Sequence, residues 1–165
     1  MSPLAVIFLI LHVLGAIIVF GPTFMFPVIA NQARQSPQNG HFAAVLSEWI
    51  ETKVVIPGAI IQGITGVALI ITIGLDVTSA QWRYLIIAIV LYLIAIAYAV
   101  VVQAPAARRM VELSGKLTGP PPAGAPAGPP PEIAATAKQL QQGGMILTVL
   151  VVAIIILMVV KPTLG

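Results

Sequence analysis

Four side chains have the types and spacing for chemistry inside a membrane: His12, Gln62, Thr65 and Tyr92. His12, in Leu11-His12-Val13-Leu14-Gly15-Ala16, is the one group titrating near neutral pH that lies deep in any of four long apolar runs. An ionisable group in hydrocarbon is expensive to keep, so it demands a partner or a role. At ~1.5 Å per helical residue it sits ~12 Å in from the start of its run. Counted the same way from the opposite side, Gln62 is ~12 Å and Thr65 ~16 Å deep, and Tyr92 falls ~15 Å below Trp82. Three helices therefore carry polar groups to one level.

Three roles are open to His12. It can be a neutral, hydrogen-bonded pin between helices, the reading that the polar neighbours favour. It can be an axial ligand, because imidazole is a common donor to haem iron. It can also relay a proton or contact a quinone. No second histidine lies in a run to complete a bis-His haem, and Met25, Met145 and Met158 stand toward run ends. No carboxylate is expected within the runs, which weakens a metal cage and a proton-coupled transporter alike. No serine is placed beside a base, so hydrolase chemistry has no support and no catalytic residue is assigned.

The positioning elements follow from composition. Of 165 residues, 59% are hydrophobic and only 8% charged, against ~25% charged in an ordinary soluble domain. The chain is a membrane protein. Its net charge of +3 is too small and scattered for nucleic acid. With no cysteine, disulfides, thiolate metal sites and thiol nucleophiles are excluded. Residues 4–29, 54–75, 82–102 and 144–160 each approach the ~20 apolar residues that a span requires. Only helices can cross here, since an open strand edge leaves its backbone groups unpaired in lipid. The fold class is all-α, a four-helix transmembrane bundle. The first span is expected to run straight to Phe20 and loosen at Gly21-Pro22 and Pro27. It is read as uncleaved, because it continues past signal-peptide length.

Small and polar residues share stripes: His12, Gly15, Ala16, Val19 and Thr23 in span one; Gly58, Gln62, Thr65 and Gly66 in span two; Tyr84, Ala88, Tyr92, Ala95 and Ala99 in span three. Such stripes let helices approach closely, with Leu, Ile and Val left for lipid. Span four offers Gly143, Gly144 and Thr148 and is expected to pack without chemistry.

The loops set the orientation. Arg34, Lys53, Arg108, Arg109, Lys116 and Lys138 fall on one side, and only Arg83 and Lys161 on the other. The first side is read as cytoplasmic and both termini as extracytoplasmic, in a bacterial inner membrane. Phe42, Val45, Leu46, Trp49 and Lys53 recur at helical spacing, which predicts a short interfacial helix with Glu48 and Glu51 turned the other way. His41, at its start, is read as a solvated or structural group. Ile133 to Gln142 predicts another short helix. Residues 117–131 are dominated by Pro, Gly and Ala, the composition of a linker with no core.

The chain resembles the bacterial family known as domain of unknown function 2269. The resemblance lies in Leu11 to Ala16, in Leu46 to Thr65 with Pro57-Gly58 and Gly63-Ile64-Thr65-Gly66, in Leu91-Tyr92-Leu93, and in Leu157-Met158-Val159-Val160-Lys161-Pro162. It covers all four spans and leaves out the Pro-rich segment. The family implies no activity. In architecture and early histidine the chain is more distantly similar to the copper-resistance D family and to HemJ-type protoporphyrinogen oxidases. The latter resemblance implies haem b at His12 and transfers no other residue; Tyr92, Gln62 and Thr65 are its possible neighbours by depth alone. The further intramembrane histidine and the basic residues expected around haem propionates are missing here.

The expectation is a small bundle in the lipid bilayer, associated with other membrane-protein subunits and acting as an accessory subunit. An electron-transfer complex is the first place to look. A haem b redox protein using His12 is the alternative, and enzymatic activity is not the preferred reading.

Overall fold

The computed structural model describes residues 2–117 and 128–162. Four long helices alternate in direction: α1 (Pro3–Gln35), α2 (Gly40–Ile73), α3 (Arg83–Gly115) and α4 (Pro131–Val160). Each is long and apolar enough to cross a membrane, and no strand occurs among the described residues. Ser2 caps α1 by accepting from the Ala5 N–H at 3.2 Å. Gly21-Pro22 tightens α1 into a 3₁₀ stretch over Gly21–Met25, after which it resumes as Phe26–Gln35. Gly74 ends α2 at φ +70°, a left-handed conformation that glycine adopts without steric cost.

Helix α1 packs along the C-terminal half of α2, and α3 packs along α4. At the other end the partners change, and the first turns of α2 pack on the last turns of α3. The interior is built of small side chains. Ala5, Ala59, Ala88, Ala99, Ala104, Ala106 and Ala107 are buried, whereas Ile17, Ile61, Ile71 and Val159 face outward. Lipid tails are as apolar as leucine, so close packing selects small residues for the inside and leaves large ones to the lipid.

The helices are longer than the expected spans. At ~1.5 Å per residue, helices of 30 to 34 residues run ~45–51 Å, against ~30 Å of hydrocarbon. The surplus lies at the end holding the α1–α2 turn, where Arg34, Glu48, Arg108, Arg109 and Glu132 are found. The two short helices expected beside spans two and four are therefore continuous with α2 and α4. Residues 118–127, the bulk of the expected linker, lie outside the described residues.

Two single π turns interrupt the ladder, one in α2 (Glu51–Val55) and one in α3 (Ala99–Gln103). The Ile56 N–H reaches back to the Glu51 carbonyl, and that of Ala104 to Ala99. Their use is visible in the inward stripe of α3, which runs Tyr84, Ala88, Tyr92, Ala95, Ala99, Gln103 and Ala107. Steps of four drift around a helix of 3.6 residues per turn, and one wider turn brings the stripe back to the same side.

Candidate functional site

The structure brings together three of the four residues singled out from the sequence. His12 and Thr65 meet across the α1–α2 interface, with Nδ1 and Oγ1 3.0 Å apart. Thr65 spends its own proton on the Gln62 carbonyl, at 3.0 Å, so the ring donates from Nδ1 and keeps its lone pair on Nε2. Gln62 is buried and donates from Nε2 to the His12 carbonyl at 2.7 Å. Its Oε1 lies against Gly15, and the imidazole lies over Gly66, where an added Cβ would stand 3.1 Å from Cε1. Gly58 receives Val19 in the same way. The stripe Gly58, Gln62, Thr65, Gly66 thus faces α1, because only small residues there let the two backbones approach.

Tyr92 is not part of this layer. Its hydroxyl donates to the Ala59 carbonyl at 2.6 Å and lies beside Gly63. Ala59 and Gly63 are one residue on from Gly58 and Gln62, about 100° further round α2 at 3.6 residues per turn. Depth along a helix was read correctly, but the direction around it separates Tyr92 from His12. Tyr92 instead reaches across to join the α1–α2 pair to the α3–α4 pair.

A haem site at His12 would need a flat slot opening at Nε2. His12 is half-buried, with Cε1 the ring atom nearest to Gly66. His12 lines neither of the two cavities described between the helices. The residues around His12 do not form a porphyrin slot. Among the described residues no three His, Cys, Asp or Glu side chains gather as a metal site would require.

A second polar site lies where no motif or spacing predicts one. Between the two helix pairs is a cavity of about 60 Å³, whose wall includes Phe20, Thr23, Glu51, Tyr92, Gln103 and Val151. Glu51 is only 4% exposed and its Oε1 has no hydrogen-bond partner. Gln103, 8% exposed, donates from Nε2 to the Leu140 carbonyl at 3.2 Å, which turns its unpartnered Oε1 toward Gly143. Leaving a buried acceptor unmet costs ~1–3 kcal/mol, more for a charged group. Each of these residues belongs to one of the two π turns, a feature that recurs at functional sites.

Glu51 lies just before the expected span two, and its carboxylate is buried in the bundle. The apolar stripe of this segment faces away from it, as its spacing predicts. Phe42 (69% exposed) and Trp49 (54%) look outward, while Glu51 looks in. In water an amphipathic helix buries its apolar face, but beside lipid the apolar face turns out and the polar one meets other helices. The signal was present in the sequence: Glu51, Val55, Ala59 and Gln62 continue a single stripe, and Gln103 extends that of Tyr84 to Ala99.

At the overshooting end, polar pairs tie all four helices. Arg34 donates to Gln141 at 3.0 Å, and His41 Nδ1 and Ser114 Oγ lie 3.0 Å apart. Arg108 and Arg109 approach Glu48 and Glu132 at 3.7 and 3.6 Å. His41 is thus a structural link between α2 and α3. Exposed ion pairs of this kind are individually worth under ~1 kcal/mol.

Four apolar antiparallel helices with small-residue interfaces define a multi-pass integral membrane protein that sits in the lipid bilayer. Within that class, the chain belongs to the family described as predicted integral membrane protein (DUF2269), whose pattern matches residues 6–162. No curated protein and no solved structure matches it.

Proposed function

We propose that this protein is an accessory subunit of a larger membrane assembly, held in the bacterial cytoplasmic membrane with both termini outside. The observation that carries the reading is the folded end beyond the hydrocarbon. There Arg34–Gln141, His41–Ser114, Glu48–Arg108 and Arg109–Glu132 hold the helix ends together beneath a rim of exposed Arg and Lys side chains. Such a rim offers a docking face for a partner's acidic surface. Lys and Arg at this end also support a cytoplasmic location for it. A respiratory or photosynthetic electron-transfer complex is the assembly to examine first. The alternative role, haem b on His12, finds no supporting cavity at the imidazole.

The test is a native gel of membranes solubilised gently at native expression levels. The wild type is expected in a large complex, and Arg108→Glu with Arg109→Glu is expected to release it while it stays inserted. Wild-type protein running only as a free monomer or homo-oligomer would sink the proposal.

A further inference from the structure

A groove of about 330 Å³ runs along the outside of the α1–α2 pair, against about 60 Å³ enclosed between the helix pairs. Its floor is the buried Val19 and Gln62, and Ile18 and Ile61, 64% and 61% exposed, stand at its rims. Along α2 the wall runs from Lys53 to Gln62, nine residues or ~13 Å. Half of a ~30 Å hydrocarbon core is ~15 Å, so the groove is about as long as one leaflet is deep. A water takes ~30 Å³ of liquid and a methylene is close to it in size, so there is room for about ten methylenes. The groove opens on the outer face of the bundle, where the bilayer core holds acyl chains and no water.

Its two ends differ. Toward the bilayer centre stand Leu11 and Gln62, and the Gln62 Nε2 is already given to the His12 carbonyl. At the other end stands Lys53, exposed and just ahead of the apolar part of α2, where a lysine reaches the headgroups. The rest of the wall described carries no charge. Of the carboxylates nearby in sequence, Glu48 meets Arg108 and Glu51 is buried inside the bundle. Among the described residues no ion pair involves Lys53. An unmatched cation at headgroup level attracts anionic lipid.

We infer that this groove binds one phospholipid with a net negative head, its phosphate on Lys53 and one acyl chain laid between Ile18 and Ile61. The site depends neither on which end of the bundle faces the cytoplasm nor on a partner docking at the basic rim.

Purified full-length protein in a neutral detergent is mixed with phosphatidylglycerol or phosphatidylcholine bearing the same acyl chains, and the retained lipid is counted by native mass spectrometry. The wild type should retain one phosphatidylglycerol and favour it about fivefold over phosphatidylcholine, the effect of one lysine beside an anionic head. Lys53→Gln should remove that preference and leave weak binding of both. Lys116→Gln takes the same charge from the same end but lies outside the groove wall, and it should behave as the wild type. Ile61→Trp, which fills the groove and keeps Lys53, should lower the retention of both lipids. Ile18→Trp carries the comparison if Ile61→Trp does not elute as a monodisperse species. Equal retention of the two lipids by the wild type would overturn the inference. So would an equal loss of preference in Lys53→Gln and Lys116→Gln, unchanged retention in the tryptophan variants, or uptake of several equivalents with no first one favoured.

Discussion

Gln62 donates to the carbonyl of His12 at 2.7 Å, so the glutamine side chain grips the backbone of the neighbouring helix. The bond is made to a fixed point of α1 and survives any change of the histidine side chain. His12→Phe should therefore remain folded and lose only the Thr65 contact, ~0.6–1.7 kcal/mol in a membrane interior. A double-mutant cycle of His12→Phe with Thr65→Val, followed by unfolding in detergent, should return a coupling in that range. Zero coupling would mean that the pair contributes nothing.

Close approach of α1 and α2 can be tested at its narrowest points. Gly15 abuts the Gln62 amide and Gly66 lies under the imidazole, whereas Ile71 is 72% exposed. Gly15→Leu or Gly66→Leu should force the helices apart at a cost of ~1–3 kcal/mol, and Ile71→Leu should be silent. Equal melting temperatures for all three would show that the assigned faces are wrong.

Tyr92 joins two helix pairs that are otherwise held together mainly at the basic end. Removing its hydroxyl as Tyr92→Phe should cost ~0.5–1.5 kcal/mol. Distances between spin labels on α2 and α3 should broaden at their outer halves and stay narrow near His41 and Ser114. Uniform broadening would argue against this division of labour.

The short α2–α3 connection carries its own pH response. Asp76 accepts from the Thr78 hydroxyl at 2.6 Å and from its N–H at 3.0 Å. The hydroxyl and then the amide hold its carboxyl below the ordinary 3.8. With the folded value depressed, the turn gains stability above the unfolded value and loses it as pH falls through the folded one. The Thr78 amide resonance should titrate with a midpoint below 3.8, and a midpoint at or above it would contradict the turn geometry.

Orientation makes the last prediction. A reporter fused after Gly165 should read extracytoplasmic, and one inserted near Gly40 should read cytoplasmic. The opposite pattern would overturn the sidedness argued from Lys and Arg.

What could be read from the sequence divides along physical lines. The number of helices follows from the length of the apolar runs, and the stripes on α1 and α2 follow from periodicity, which is why His12, Gln62 and Thr65 meet as expected. Tyr92 was placed at the right height and on the wrong side, because height depends on rise per residue whereas azimuth depends on which neighbour each face meets. Glu51 was read on the face opposite the apolar stripe, where it is found, but what that face would meet depends on the neighbouring helices, and periodicity is silent on that. The two π turns leave no plain trace in composition, since they depend on where stripes on neighbouring helices must be kept in line.

The helices that continue unbroken out of the hydrocarbon have a mechanical consequence. Only one π turn each, at Glu51–Val55 in α2 and Ala99–Gln103 in α3, separates the apolar part from its charged end, and no loop does, so a change in tilt within the membrane is expected to move the arginines at the far tip. Tilt follows the thickness of the surrounding bilayer. The lateral spacing of that cationic crown is therefore expected to follow the thickness of the membrane in which the protein sits.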